Sequence, residues 1–142
     1  MLGHFDKRHL PEGLVSQIES VKFTGYQKYL ETLRRADSAV MPLCDDIFNR
    51  CKSAVRVLDA AAVGVPSIVG GVGDLAQVVR DGDTGHIVRS TEGWLEALRA
   101  LAEDPLGARR MGRAARDDLD RRWAASDASH IFAPELIDWV EG

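Results

Sequence analysis

A glycine-rich segment in the middle of the chain has a spacing that lets a backbone approach a phosphate group. Gly71, Gly73 and Ala76 fit the pattern G-x-G-x-x-A, after a predicted strand and before a predicted helix. In dinucleotide-binding proteins such glycines bring a pyrophosphate to the helix N-terminus. Arg89 follows the next predicted strand, where a cofactor with a 2′-phosphate needs a cation. The alternative is a tight turn between strand and helix that binds no ligand.

A lysine and a serine near the start of another predicted helix form a second candidate site. Lys52 and Ser53 follow Asn49, at which the pattern predicts that a helix begins. A cation at this end opposes the helix dipole, whereas a bound anion is stabilised by free backbone N–H groups. An anionic ligand would therefore account for Lys52. The alternative is a solvent-exposed lysine beside a helix-start serine.

The cysteines and histidines do not have the spacing of a metal site. They are His4, His9, His86, His130, Cys44 and Cys51. Zinc needs further ligands at characteristic separations, and two cysteines are too few for a disulfide scaffold. We therefore expect no metal ion, no cofactor and a cytoplasmic protein.

Length and composition exclude several classes of protein. The chain has 142 residues and a formal net charge of -4, with 45% hydrophobic and 28% charged residues. These values are typical of one globular domain and argue against a disordered chain or a general nucleic-acid binder. The longest weakly polar run, at 60–72, contains glycines and a proline and falls short of the roughly 18 apolar residues of a membrane span. The N-terminus has no apolar stretch of signal-peptide type.

Hydrophobic periodicity predicts alternating strands and helices. Predicted strands lie at 21–24, 38–41, 66–69 and 86–88. Predicted helices lie at 14–18, 26–36, 49–63, 74–80, 91–102 and 105–123, with a last amphipathic segment at 128–140. Asp74 and Thr91 stand where helix N-caps are expected. Because parallel strands need crossover connections, this alternation favours an α/β protein with a parallel sheet covered by helices.

Five short motifs follow one another in the order and near the spacing of one enzyme family. They are VKFTG (21–25), RADSAVMP (35–42), LDAAAVGVPSIV (58–69), the segment from GD to VRDGDTG (73–85), and MGRAAR (111–116) together with Trp94 and Leu98. This stretch resembles the C-terminal, donor-binding half of the group 1 glycosyltransferases, the retaining GT-B class also called family 4. The resemblance implies a Rossmann-like parallel sheet flanked by helices, as in the C-terminal half of a GT-B fold, followed by C-terminal helices. Residues 1–142 would form a single partial domain, whose segment at about 126–142 packs on a missing N-terminal lobe.

The sequence departs from the family at one acidic position and lacks two of its regions. The family usually has two glutamates in the pattern E-x7-E; Asp59 stands at the second and Cys51 at the first. Lys52-Ser53 matches a subset of the family that carries Lys-Ser here. The G-R-x5-K-G segment, whose basic residues bind diphosphate, would lie before Met1, and the N-terminal acceptor domain would also precede it.

The resemblance implies roles for eight residues. Those expected to face the donor phosphate or sugar are Cys51, Lys52, Ser53 and Gly73. Asp59 is expected to accept hydrogen bonds from the ribose hydroxyls; the alternative is a solvated helix carboxylate. The loop expected against the nucleotide base is Thr24, Gly25 and Tyr26. No residue is assigned a catalytic role.

The resemblance also implies a function with two versions. In the first, the chain is the nucleotide-sugar-binding lobe of a retaining glycosyltransferase that transfers a sugar from a nucleotide diphosphate donor to a glycan or lipid-linked acceptor. The expected partners are that donor and a missing N-terminal acceptor lobe or partner chain, with no nucleic acid. Peripheral membrane association is expected only through the full enzyme, and this chain alone is expected to be inactive. In the alternative, the chain is a degenerate or truncated Rossmann-like module that binds a nucleotide or a protein without catalysis.

Overall fold

A parallel sheet forms the centre of the fold. The computed structural model describes residues 11–22, 25–123 and 139–140. Within them, β1 (Ala39–Met41), β2 (Ser67–Gly70) and β3 (Gly85–Val88) form a three-stranded sheet in the order β1-β2-β3. Both pairings are parallel, and Ile68 of β2 lies opposite Val40 on one side and His86 on the other. The prediction of a parallel sheet is therefore confirmed.

Helices connect the strands and cover the sheet. They are α1 (Glu12–Val15), α2 (Tyr26–Leu33), α3 (Ile47–Arg50), α4 (Val55–Ala62), α5 (Leu75–Val78), α6 (Thr91–Glu103) and α7 (Pro105–Arg122). Neighbouring side chains of a strand point to opposite faces, and the fully buried pair Ile68 and Val69 occupies both faces of β2. Ile68 packs in a cluster with Ala97 of α6, whereas Val69 packs with residues of α4 and α5. The central strand is thus buried on both sides, and all four of its residues are buried.

The predicted helix at 49–63 is wrong in one respect, because the structure divides it into α3 and α4. Asp46 begins α3 early: its side chain accepts a hydrogen bond from the Asn49 N–H at 2.8 Å. The Lys52 N–H then donates to the Asn49 carbonyl, and α4 begins three residues later at Val55. Lys52 and Ser53 therefore lie in the connection between two helices and not in the first turn of one long helix.

Two of the helix N-caps also differ from the prediction. Asp74 precedes α5, but its side chain makes no capping hydrogen bond, because its backbone is already helical at φ −65° and ψ −22°. Ser90, and not Thr91, caps α6 by accepting from the Gly93 N–H at 3.1 Å. In the predicted strand at 21–24, Val21 makes an isolated bridge. Of the predicted segment at 128–140, only Trp139 and Val140 are among the described residues.

A buried carboxylate ties α7 to the turn before β3. Asp118 is 3% exposed, although the alternating charges around it predict a solvated helix face. It accepts a hydrogen bond from Arg80 at 2.7 Å and further hydrogen bonds from Arg122. Arg122 also donates to the Val78 carbonyl at 3.0 Å. The long C-terminal helix is therefore held against the α5–β3 region by one carboxylate that accepts hydrogen bonds from two arginines.

Candidate functional site

Tyr26 and Asp59, which are distant in sequence, meet on the surface between α2 and α4. The Tyr26 hydroxyl donates a hydrogen bond to the Asp59 carboxylate at 2.6 Å. Asp59 is only 7% exposed, whereas Tyr26 is 58% exposed. The two helices are held together by packing of Leu33 and Tyr29 of α2 with Ala60 of α4. The structure therefore brings together two residues predicted to contact the base and the ribose, and the alternative of a solvated Asp59 is wrong.

A second tyrosine completes an aromatic group beside this carboxylate. The rings of Tyr26 and Tyr29 are stacked, with their centroids 6.1 Å apart. The hydrogen bond to Asp59, followed by burial and the carboxylate charge, raises the pKa of Tyr26 above its ordinary value. Burial, followed by the charge of Asp59, raises the pKa of Tyr29. Both phenols are therefore neutral near pH 7, and Tyr26 keeps the proton that it donates.

Gly25 sets the backbone direction just before Tyr26. It precedes α2 with φ at +126°, a conformation that side chains rarely adopt, and its carbonyl accepts from the Tyr29 N–H at 3.0 Å. The glycine thus sets the direction in which the chain enters α2 and presents Tyr26. Thr24, the remaining residue of the predicted base loop, lies outside the described residues.

The second group of predicted residues surrounds the connection between α3 and α4. The Lys52 ammonium donates to the Asn49 side chain at 2.6 Å and lies 4.7 Å from the centre of the Phe48 ring. Lys52 therefore has partners within the chain, and an anionic ligand is not needed to account for its position. Ser53 and Cys51 are both exposed.

Two features of the same connection remain suited to an anion. No side chain caps the N-terminus of α4, where Ala54 is the N-cap residue, so its first backbone N–H groups have no side-chain acceptor. An ammonium group carries three donors, and Asn49 uses one of those of Lys52. The remaining donors and the end of α4 lie in the same short segment as the Ser53 hydroxyl.

Gly73 packs directly against the last residue of α3, just before this connection. A Cβ atom at Gly73 would lie 2.8 Å from the carbonyl oxygen of Arg50, and its φ is +56°. Both the close approach and the conformation require glycine. Gly73 therefore packs against the residue that immediately precedes Cys51, Lys52 and Ser53 in the chain.

A cavity lies at the carboxyl ends of the strands, where open α/β sheets usually bind ligands. Its volume is about 460 Å³, within the usual range of small-molecule sites. It is lined by Pro42, Leu43, Cys44, Asp45, Gly70, Gly71, Val72, Arg89 and Trp94. Sequence reasoning did not find it, because its lining comes from three separate strand ends and from α6. Among its lining residues, Gly71 and Arg89 carried a signal, through the dinucleotide alternative.

Charged groups at this cavity differ in whether they are paired. Asp45 forms an ion pair with Arg50 at 2.5 Å, and this hydrogen bond lowers the pKa of the carboxyl. Among the described residues Arg89 has no hydrogen bond or ion pair, and its side chain lies over Gly71, where a Cβ would be 3.1 Å from its Nε. The helix after the glycine loop, α5, has four residues. It offers little helix dipole for a pyrophosphate, which disfavours the dinucleotide alternative.

The described residues contain neither a metal-ion cluster nor a membrane-spanning helix. No group of three histidine, cysteine, aspartate or glutamate side chains in that part of the chain could hold a metal ion. None of the helices described is both long and apolar enough to cross a membrane.

Comparison with known proteins identifies the family. Residues 2–104 match the family model of the group 1 glycosyl transferases. The chain belongs to this family. It is 31% identical over 124 residues to glycogen synthase of Mycobacterium tuberculosis. The matched region covers 81% of this chain and 29% of that protein. The chain is also 37% identical over 84 residues to D-inositol 3-phosphate glycosyltransferase of an Arthrobacter species, covering 58% of this chain and 19% of that protein.

The fold of this glycosyltransferase chain is similar to that of a solved relative. Sucrose-phosphate synthase from Thermosynechococcus elongatus matches 92% of this chain and 33% of its own length, with a TM-score of 0.68 and 22% identity. The prediction of a Rossmann-like parallel sheet flanked by helices, as in GT-B glycosyltransferases, is confirmed. The chain spans less than a third of the length of each of these three proteins.

Proposed function

We propose that this chain is the donor-binding lobe of a retaining glycosyltransferase that uses a nucleotide diphosphate sugar. The observation that carries the proposal is the arrangement along α4. Asp59, bonded to Tyr26, lies one turn after the uncapped N-terminus of the helix, which follows Lys52 and Ser53. Asp59 comes four residues after Val55, about 6 Å along the helix axis. A ribose and its diphosphate fit this separation, because five covalent bonds join the 3′-oxygen to the α-phosphorus.

The chemistry of transfer explains why such an arrangement would be useful. As the glycosidic bond to the diphosphate breaks, the sugar becomes positively charged and the leaving phosphate gains negative charge. Hydrogen-bond donors fixed at the leaving group lower the barrier without reorganisation. The backbone N–H groups of α4, the Lys52 ammonium and the Ser53 hydroxyl would serve this purpose, with Cys51 and Gly73 beside the phosphate or sugar. The cavity at the strand ends would receive the sugar.

The remainder of the enzyme would supply the acceptor. The acceptor would be a glycan or a lipid-linked precursor, bound by an N-terminal lobe or a partner chain, against which the segment 126–142 would pack. Nucleic acid has no part in this function, and any peripheral membrane association would occur only through the full enzyme in the cytoplasm. The names of the relatives, a glycogen synthase and inositol-phosphate glycosyltransferases, support a hydroxyl-bearing acceptor.

A second candidate function is a nucleotide- or protein-binding module without catalysis. The observation that favours it is Cys51, an exposed thiol where the family usually has its first glutamate. A thiol neither carries the charge nor offers the acceptor oxygens of a carboxylate. The two functions differ in whether the complete protein transfers sugar. The first requires nucleotide binding by this lobe, and the second requires either nucleotide binding or a protein interface.

Calorimetry of the full chain with UDP, GDP and ADP tests the proposal. At least one diphosphate should bind weakly, and the corresponding donor sugar should be hydrolysed slowly or not at all. Asp59→Ala should weaken binding by roughly 1–3 kcal/mol, the range for a hydrogen bond to a charged group. Its melting temperature should change little, because the exposed Tyr26 hydroxyl can bond to water instead. Absence of binding for all three diphosphates would refute the proposed donor site.

A further inference from the structure

We propose that the Tyr26 hydroxyl makes the direct contact with the ribose of the donor, and that Asp59 is a positioning residue that acts through it. This inference rests on the proposed nucleotide-sugar function. The family resemblance implies that Tyr26 contacts the base and that Asp59 contacts the ribose. In this assignment Tyr26 contacts the ribose, and Asp59 does not contact the ligand directly.

Accessibility is the first argument for this assignment. Asp59 is 7% exposed, so little of this residue is open to a ligand. The side chain is also one methylene shorter than the family's usual glutamate, about 1.5 Å less reach. Tyr26 is 58% exposed, and its hydroxyl is 2.6 Å from the carboxylate. The tyrosine oxygen is therefore the polar end of this pair that a ribose can reach.

Hydrogen-bonding capacity is the second argument. A phenol has one proton and also accepts hydrogen bonds through its oxygen. Tyr26 uses its proton on Asp59, so its oxygen remains available as an acceptor for one ribose hydroxyl. The negative carboxylate polarises the phenol, which makes that oxygen a stronger acceptor than an isolated tyrosine. The raised pKa of Tyr26 keeps the proton on the phenol near pH 7.

Local structure holds the acceptor oxygen in a defined place. Gly25 directs the chain into α2, and the ring of Tyr26 is stacked with that of Tyr29. The hydroxyl is then anchored by Asp59 on α4, so the side chain is restrained at the ring and at the oxygen. A restrained acceptor loses less entropy on binding than a free surface tyrosine does.

The assignment predicts a distinctive pattern of ribose recognition. A carboxylate that bound the vicinal diol directly would use both oxygens, and loss of either ribose hydroxyl would weaken binding. One phenol oxygen accepts from one hydroxyl, so only one of the 2′-deoxy and 3′-deoxy nucleotides should bind less tightly than the ribonucleotide. The expected loss is roughly tenfold.

Calorimetry with the full chain tests this pattern. The ligands are whichever of UDP, GDP and ADP binds best and its 2′-deoxy and 3′-deoxy forms; the variants are Tyr26→Phe and Asp59→Asn. Tyr26→Phe should bind the ribonucleotide roughly tenfold less tightly and should no longer distinguish it from the sensitive deoxynucleotide. Its affinity for that deoxynucleotide should equal the parent's, which shows that the site is still folded. Asp59→Asn keeps an acceptor for the Tyr26 proton and should retain part of the discrimination.

The outcomes separate this inference from the proposed function. If Tyr26→Phe retains full discrimination while Asp59→Asn loses it, Asp59 contacts the ribose directly and the inference is wrong. If both deoxynucleotides bind the parent less tightly, the diol is bound by a carboxylate and the inference is also wrong. In either case nucleotide binding itself still stands. If the parent binds no nucleoside diphosphate, both the proposed function and the inference fail.

Discussion

Replacement of Lys52 by alanine tests the phosphate end of the proposed site. Lys52 is half-buried, and its ammonium keeps two free donors while it bonds to Asn49 at 2.6 Å. A charged hydrogen bond contributes roughly 1.5–3 kcal/mol, and partial exposure to water lowers this to about 1–2 kcal/mol. Lys52→Ala should therefore weaken diphosphate binding roughly five- to thirtyfold. Binding of the uncharged nucleoside should be unchanged.

The structure also changes the expected stability of this variant. A lysine opposed to a helix dipole would be neutral or unfavourable for folding, but Lys52 bonds to Asn49 and lies over the Phe48 ring. Its removal should cost about 0.5–1 kcal/mol, because both contacts are partly exposed. Thermal denaturation without ligand should show a melting temperature roughly 1–4 °C lower.

The assay compares diphosphate and nucleoside binding across a range of salt concentrations. Lys28→Ala is the matched control, since Lys28 is an exposed lysine paired with Glu31. The salt dependence of diphosphate binding should flatten in Lys52→Ala and not in the control, because one screened charge interaction has been removed. Equal diphosphate affinity of Lys52→Ala and the parent at low salt would refute the role of Lys52 in phosphate binding.

Three further predictions concern the framework of the site. Asp118→Ala should lower the free energy of unfolding by about 2 kcal/mol in denaturant titration. This is less than for a fully buried ion pair, because the arginine partners are 40–44% exposed. Asp117→Ala, at an exposed position of the same helix, should have little effect. Gly112→Ala should be destabilised by about 1–3 kcal/mol because its Cβ would overlap the Gly64 carbonyl, whereas Gly13→Ala, which meets nothing, should not; equal stability of the two would contradict the close packing of α7. The folded pKa of Tyr26 is raised above 10.0, so its contribution to the free energy of unfolding should be full below pH 10 and lost as the pH rises through the folded pKa. In denaturant titrations at increasing pH, Tyr26→Phe should therefore lose less stability in the alkaline range than the parent. Parallel curves for the two proteins would contradict the pairing with Asp59.

Local sequence patterns predicted the elements that depend on nearby residues. The short segment 66–69, between Gly64 and the glycine loop at 70–73, predicted β2, because glycines mark the ends of regular elements. The α6 and α7 helices appeared near their predicted limits because their apolar periodicity is long and Pro105 favours a helix start. Patterns failed at 49–63, where helical propensity continues but the capping by Asp46 and the close approach of Gly73 accompany a break.

The candidate site shows the same division. Motif order grouped Cys51, Lys52, Ser53 and Gly73, and the structure places Gly73 against Arg50, the residue before the other three. Their roles stay predictions. The partner of Asp59 could not be predicted, because Tyr26 lies 33 residues away and no local pattern relates the two. The cavity at the strand ends has the same origin in residues far apart in the chain.

By itself, the sequence determined the α/β class, the succession of strands and helices along the chain and the likeness to one glycosyltransferase family, because these depend on periodicity, turn residues and motif order. The tertiary structure alone decided which charges are buried and with what they pair. Asp118 and Asp59 both resemble solvated helix carboxylates in the sequence, yet each is nearly inaccessible and bonded to a distant residue. Burial depends on which helix face meets which neighbour, and that is a property of long-range packing that short-range patterns do not contain.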